Sequence, residues 1–191
     1  MSLKRRNSLV ISSLLLTFML PIVAALWVYY YGFPTARSTT NYGSLIQPSV
    51  HITEYAVTDP NGIPLSNKAL LYKWTLLYVS PAVCDKSCES AVFYLRQMRT
   101  ATGKDQERIR PVVLNRYGQS IDPSLVTLLQ KRYPQTTRWI SHADNKQLAL
   151  EGGSLYLVDP HGNIMMTYPA GANPSKIFKD LTKLLRVSQI G

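Results

Sequence analysis

Apolar and polar positions divide this chain into two parts with different rhythms. Between Leu9 and Tyr30 the sequence LVISSLLLTFMLPIVAALWVYY carries no charge. As a helix rising about 1.5 Å per residue, a run of about 22 residues spans about 33 Å, which matches the hydrocarbon core of a bilayer. The pattern predicts a transmembrane helix over 9–31 behind a basic tail over 1–8. Residues 32–48, polar and turn-rich from Thr35 to Gln47, read as a linker, and 49–191 as a folded domain.

Within that domain short apolar runs alternate with helical spacing. Leu70 to Val79 (LLYKWTLLYV) is nearly continuous in apolar and aromatic residues, the pattern of a strand covered on both faces at the centre of a sheet. Val92, Leu95, Met98 and Thr102 then recur at helical intervals, with Gly103 closing the helix. Arg108–Leu114 and Thr137–Ser141 read as strands, Asp122–Arg132 as a second helix, and Lys146–Glu151 as one helical turn. Two Asp-Pro-x-Gly turns, at Asp59–Gly62 and Asp159–Gly162, predict hairpins. The first joins His51–Thr58 to Ile63–Leu65, the second Ser154–Asp159 to Asn163–Tyr168. Pro174 opens a last helix with Ile177, Leu181, Leu184 and Leu185 as its buried stripe. Right-handed crossovers put helices on the faces of a partly parallel sheet, so this order describes an α/β layered domain.

Composition narrows the choice. A length of 191 residues excludes a large multidomain enzyme, and a 46% hydrophobic share is enough for a core, which excludes a disordered chain. The chain holds 21 Lys and Arg against 11 Asp and Glu. Lys4, Arg5 and Arg6 precede the apolar run and only Arg37 follows closely. By the positive-inside rule the N-terminus lies in the cytoplasm, or its mitochondrial counterpart, and the domain outside; in the first case the domain is in the periplasm, on a single-pass anchor in the inner membrane. Trp27, Tyr29, Tyr30 and Tyr31 fall where an interfacial aromatic belt belongs. The competing reading is a cleaved signal peptide with Val23-Ala24-Ala25 at the processing site. The length of the run and its aromatic cluster favour the retained anchor. Nucleic acid is excluded as a partner, because the domain is exported and its basic residues are interspersed with acids. The basic surface suits solvent, anionic headgroups or an acidic partner.

The chemistry concentrates at Cys84 and Cys88, the two cysteines of the chain. Cys84-x-x-x-Cys88 follows the central strand and opens a helix, so the first thiol can fold back over the helix N-terminus within disulfide reach. The helix end and Lys86 favour a thiolate, and Asp85 opposes them. Thiolates serve disulfide exchange and also bind Cu(I), and the same spacing suits a static crosslink. In an open parallel sheet the loops after the strands share one edge. Asn115, Arg116, Ser141 and His142 are therefore expected beside the cysteines, with Glu151, Gly152 and Gly153 in the same neighbourhood. His142 is the candidate third metal ligand. His161 sits in a hairpin turn pointing away, and of Met165 and Met166 at most one can face a site.

Leu76-Leu77-Tyr78-Val79-Ser80 before the cysteine motif, and Leu155-Tyr156-Leu157-Val158-Asp159-Pro160-His161-Gly162-Asn163, resemble the Sco/SenC family of cytochrome c oxidase assembly proteins. The resemblance runs over residues 42–186 and is strongest to the short Sco-like proteins of bacteria. It implies a thioredoxin-like domain, a mixed central sheet flanked by helices, behind a membrane anchor. Implied partners are a cytochrome c oxidase subunit or another copper- or thiol-handling assembly protein. In that family two cysteines and a distal histidine bind copper, and the histidine lies just before the Tyr-Leu-x-x-Pro strand. Here that stretch is Leu150-Glu151-Gly152-Gly153-Ser154, without histidine and without the proline that thioredoxins place there. The metal expectation is Cu(I) on Cys84 and Cys88, with His142 as substitute ligand. Two functions stand side by side. One is thiol exchange or copper passage for the oxidase, with Cys84 attacking and Cys88 resolving. The other is a non-catalytic docking factor with a structural disulfide.

Overall fold

The computed structural model describes residues 3–32, 40–70 and 72–188. They fall into two units, one ending at Thr40 and one beginning at Asn41. The first unit is a helix, α1 (Leu3–Tyr31). Its stretch Val10–Tyr31, 22 residues, is long and apolar enough to cross a membrane, and none of it is buried inside the protein. The Ser13 hydroxyl donates to the Val10 carbonyl at 2.9 Å and that of Thr17 to Ser13 at 2.8 Å. The helix thus pairs these polar groups itself, as apolar surroundings require.

The second unit is built on six strands: β1 (Ser44–His51), β2 (Trp74–Val79), β3 (Ile109–Asn115), β4 (Thr137–Ile140), β5 (Leu155–Val158) and β6 (Asn163–Tyr168). They form one sheet in the order β1-β6-β5-β2-β3-β4. β2, β3 and β4 run parallel, while β5 opposes β2, β6 opposes β5 and β1 opposes β6. Every residue of β2 is buried, as its unbroken apolar run requires. Its side chains alternate between two cores. Trp74, Leu76 and Tyr78 pack with residues of α3 (Lys86–Ala101), α4 (Pro123–Arg132) and α5 (Pro174–Val187). Leu77 and Val79 face Tyr55, Leu70, Trp139, Leu150 and Tyr156 on the other side. Three helices thus cover one face. A 3-10 turn at Ile52–Tyr55, the short α2 (Asn67–Leu70) and the loop bearing Leu150 cover the other.

Several boundaries differ from the sequence reading for local reasons. Residues 44–48, read as linker, belong to β1. His51–Thr58 is not a strand. His51 Nδ1 accepts from the Thr53 N–H and Glu54 accepts from the His51 N–H, so side chains draw the backbone into a 3-10 turn. Ala56, at φ 47°, ends that turn in a left-handed conformation. The first hairpin shrinks to a bridge between Thr58 and Pro64, and Thr58 also pairs with Ile140. Leu70 belongs to α2, and the central strand starts only at Trp74 after Tyr72 at φ 67°. Lys146–Glu151 holds no helical turn. The second hairpin forms as expected, and both Asp-Pro turns use one device. Asp59 Oδ1 accepts from the N–H groups of Asn61 and Ile63, and Asp159 Oδ1 from those of His161 and Asn163.

Asp180 on α5 is only 2% exposed and stands within the helix's buried stripe. Its Oδ2 accepts from the Tyr42 N–H at 2.8 Å, the Gly43 N–H at 2.9 Å and the Tyr168 hydroxyl at 3.0 Å. Gly43 is required there, since a Cβ would stand 2.6 Å from the Tyr168 ring. The beginning of the domain is thereby fastened to its last helix.

Candidate functional site: a cysteine pair at the end of the central strand

The backbone leaves β2 under control of its neighbour. Ser80, fully buried, donates to the Leu114 carbonyl of β3 through both its N–H at 2.9 Å and its hydroxyl at 3.2 Å. The loop from Pro81 then reaches Asp85, which caps α3 by accepting from the Cys88 N–H at 3.0 Å. Cys84 in the loop and Cys88 in the first turn of the helix are joined as a disulfide, with Cα atoms 5.2 Å apart. The two sulfurs have different surroundings. Cys88 is 1% exposed and packs in the core with Tyr78 and Val92, whereas Cys84 is half-buried at the surface.

A second carboxylate holds the loop from the start of the neighbouring helix α4. Asp122, the N-cap of α4, accepts from the Ser124 N–H with Oδ1 and from the Cys84 N–H with Oδ2, each at 2.8 Å. These bonds, that from Cys84 foremost, hold its carboxyl below the usual carboxylate range. The sequence marks Asp122 only as a helix start, because its contact with Cys84 bridges 38 positions. The Tyr78 phenol, beside the pair, is pushed up to about 12, chiefly by burial and then by the charge of Asp85. It remains protonated at neutral pH.

The segment entering β5 closes the site on another side. The Gly153 N–H donates to the Val79 carbonyl at 2.8 Å, and the Ser154 carbonyl accepts from the Val79 N–H at 3.0 Å. A Cβ at Gly152 would stand 3.4 Å from the Cα of Pro81. Gly153 adopts φ +85°, a conformation open to glycine at little cost. Between α3 and α5 lies a largely apolar cavity of about 160 Å³, with Tyr78, Ser87, Ala91, Tyr94, Gly153 and Ala172 among its walls and neither cysteine lining it.

Of the expected neighbours, Gly152 and Gly153 stand against the start of the cysteine loop. Glu151 donates its N–H to the Tyr156 hydroxyl, and Arg116 bonds the Leu150 carbonyl at 3.3 Å. Ser141 and His142 turn toward the 52–58 segment instead. The Ser141 hydroxyl donates to Tyr55 and Ala143 carbonyls, the His142 N–H donates to Tyr55, and His142 Nε2 bonds Thr58 Oγ1 at 2.9 Å. Among the described residues no three His, Cys, Asp or Glu side chains converge as a metal-holding group. The expected set Cys84, Cys88 and His142 is therefore not assembled. With Thr58 on its ring and the 52–58 segment against it, His142 is engaged elsewhere. Two thiolates without a third strong donor would hold Cu(I) only in a two-coordinate or partner-completed site, and Cu(II) poorly.

Residues 74–188 match the family model described as "Transmembrane-like, thioredoxin-like, C-terminal domain". No curated protein matches the chain. Among solved structures it is similar to yeast Sco1 with copper bound, at 14% identity and TM-score 0.53, covering 76% of this chain and 93% of that one. It is also similar to apo Sco1 from Thermus thermophilus, at 15% identity and TM-score 0.53, over 76% of this chain and 97% of that one. A third is the thioredoxin domain of a thiol-disulfide oxidoreductase from Bacteroides vulgatus, at 18% identity and TM-score 0.50, over 74% and 96%. At these identities the likeness establishes a thioredoxin-like fold.

Proposed function

Since this chain belongs to the transmembrane-like, thioredoxin-like C-terminal domain family, we propose that it is a membrane-tethered thiol–disulfide exchange protein that works outside the cytoplasm. The observation carrying this reading is the asymmetry of the disulfide: Cys84 half-buried at the surface, Cys88 sealed at 1% exposure. An incoming partner meets Cys84 first, so Cys84 forms the mixed disulfide and Cys88 resolves it. The cavity between α3 and α5 offers apolar walls for a partner segment. The helix α1 supplies the tether, with Lys4, Arg5 and Arg6 on the cytoplasmic side.

The partner most consistent with the resemblance is a copper-site dithiol of a cytochrome c oxidase subunit, kept reduced for metal loading. Yeast Sco1, of similar fold, has copper bound; here the reduced pair alone would hold Cu(I) only in a two-coordinate or partner-completed site. A second reading, a docking factor with a static crosslink, draws on the burial of Cys88. The reduction potential decides between them. Exchange predicts a value above about −300 mV in equilibrium with a glutathione or dithiothreitol couple; a lower value is that of a structural disulfide.

A further inference from the structure

Each cysteine of the pair carries a carboxylate on its backbone N–H. Asp85 accepts from Cys88 at 3.0 Å and Asp122 from Cys84 at 2.8 Å. One acid lies inside the loop and the other 38 positions beyond it, so the arrangement does not come from a single local turn. A cysteine sulfur lies three bonds from its own nitrogen, which places it about 3–4 Å away and within roughly 7 Å of an oxygen bonded to that N–H. At this range a fixed negative charge disfavours a second one. The helix end and Lys86 pull the other way, but the amide that a sulfur anion would find on its own residue is already engaged in both cases.

We propose that Asp85 and Asp122 are positioning residues that keep the reduced pair as neutral thiols and thereby make it an electron donor. This rests on the exchange reading above. Couples whose reduced form is stabilised as a thiolate are oxidants, and withholding that stabilisation moves a couple toward the reducing side. Cys84, losing its proton to water, attacks a partner's disulfide, and the first partner sulfur leaves and is protonated. Cys88, losing its proton, then attacks the Cys84 sulfur of the mixed disulfide. The Cys84–Cys88 bond forms and the second partner sulfur leaves and takes up a proton. Two electrons pass to the partner, whose disulfide becomes a dithiol, and the protons balance through water.

The test uses the full chain in detergent micelles, chemically reduced and freed of reductant, and alkylated at pH 7 by neutral iodoacetamide or anionic iodoacetate. Asp85→Asn keeps the acceptor oxygen and the cap while removing the charge, since Asn caps as well as Asp. Asp122→Asn is the second variant. Removing one charge multiplies the thiolate fraction by about ten, and the accompanying loss of nucleophilicity takes back about a factor of three. Each variant should therefore react about threefold faster with iodoacetamide, and the double variant about tenfold. Iodoacetate should accelerate more than iodoacetamide, which a merely loosened loop would not cause. Unchanged rates, or equal acceleration by both reagents, overturn the proposal, as does a loss of thermal stability with an unchanged reagent ratio. Because the protein starts reduced, the result is independent of whether a partner exchanges with it; a potential below about −300 mV would retire the exchange reading alone.

Discussion

Asp180 shows how one side chain can fix a boundary. It is buried, and it satisfies two backbone donors and one phenol at once. Asp180→Ala would leave those donors without their acceptor, at about 3 kcal/mol or more of stability. Gly43→Ala would force a methyl group into the Tyr168 ring, at about 1–3 kcal/mol. Both losses are expected as lower urea midpoints in the full chain. In the sequence Asp180 was illegible as a core residue, because a charge inside the stripe Ile177, Leu181, Leu184 and Leu185 reads as a solvated position. The stripe itself was legible, and three of its four members are buried, with Leu184 partly so. The buried phenols set a pH limit. Tyr78 is raised to about 12, mainly by burial, and Tyr55 and Tyr168 are raised further, again mainly by burial. An acid raised in the fold favours the folded state below its unfolded value and loses that contribution as pH rises through the folded one. For Tyr78 the window runs from about 10 to about 12. The phenols should therefore make thermal stability fall above about pH 10, which calorimetry from neutral pH to about 12 checks.

At the scale of elements, legibility followed the kind of force at work. β2 and the three long helices of the domain are set by burial, and burial is written in the alternation and spacing of apolar residues. The carboxyl-terminal hairpin was legible too, since Asp159 makes its turn within five residues. The 52–55 turn was not. Its cause is a pair of side-chain bonds between His51, Thr53 and Glu54 that compete with strand pairing, and no period in the sequence reports them. The cysteine loop lies between these cases. Its place at the end of β2 follows from strand then helix, and the opposing influence of Asp85 was already visible. The clasp by Asp122 and the close approach of Gly152 to Pro81 arise only when β3, α4 and β5 are brought alongside. That is also why His142 was expected beside the sulfurs: it ends a neighbouring strand, but its backbone and ring are drawn to Tyr55 and Thr58.

The whole molecule pairs a helix suited to a bilayer with a thioredoxin-like domain whose one disulfide among the described residues sits at the end of the central strand. The domain supplies asymmetry between two sulfurs, a carboxylate on the backbone N–H of each, and an apolar cavity between α3 and α5. In the proposed function Cys84 exchanges with a partner thiol while Cys88 resolves. The direct measurement is trapping with Cys88→Ser in the full chain in its native membrane, analysed on non-reducing followed by reducing gels. Cys84 should then accumulate as a reductant-sensitive adduct with another protein, and Cys84→Ser should give none. Absence of any such adduct in Cys88→Ser membranes, with Cys84 recovered as a free thiol, contradicts the account.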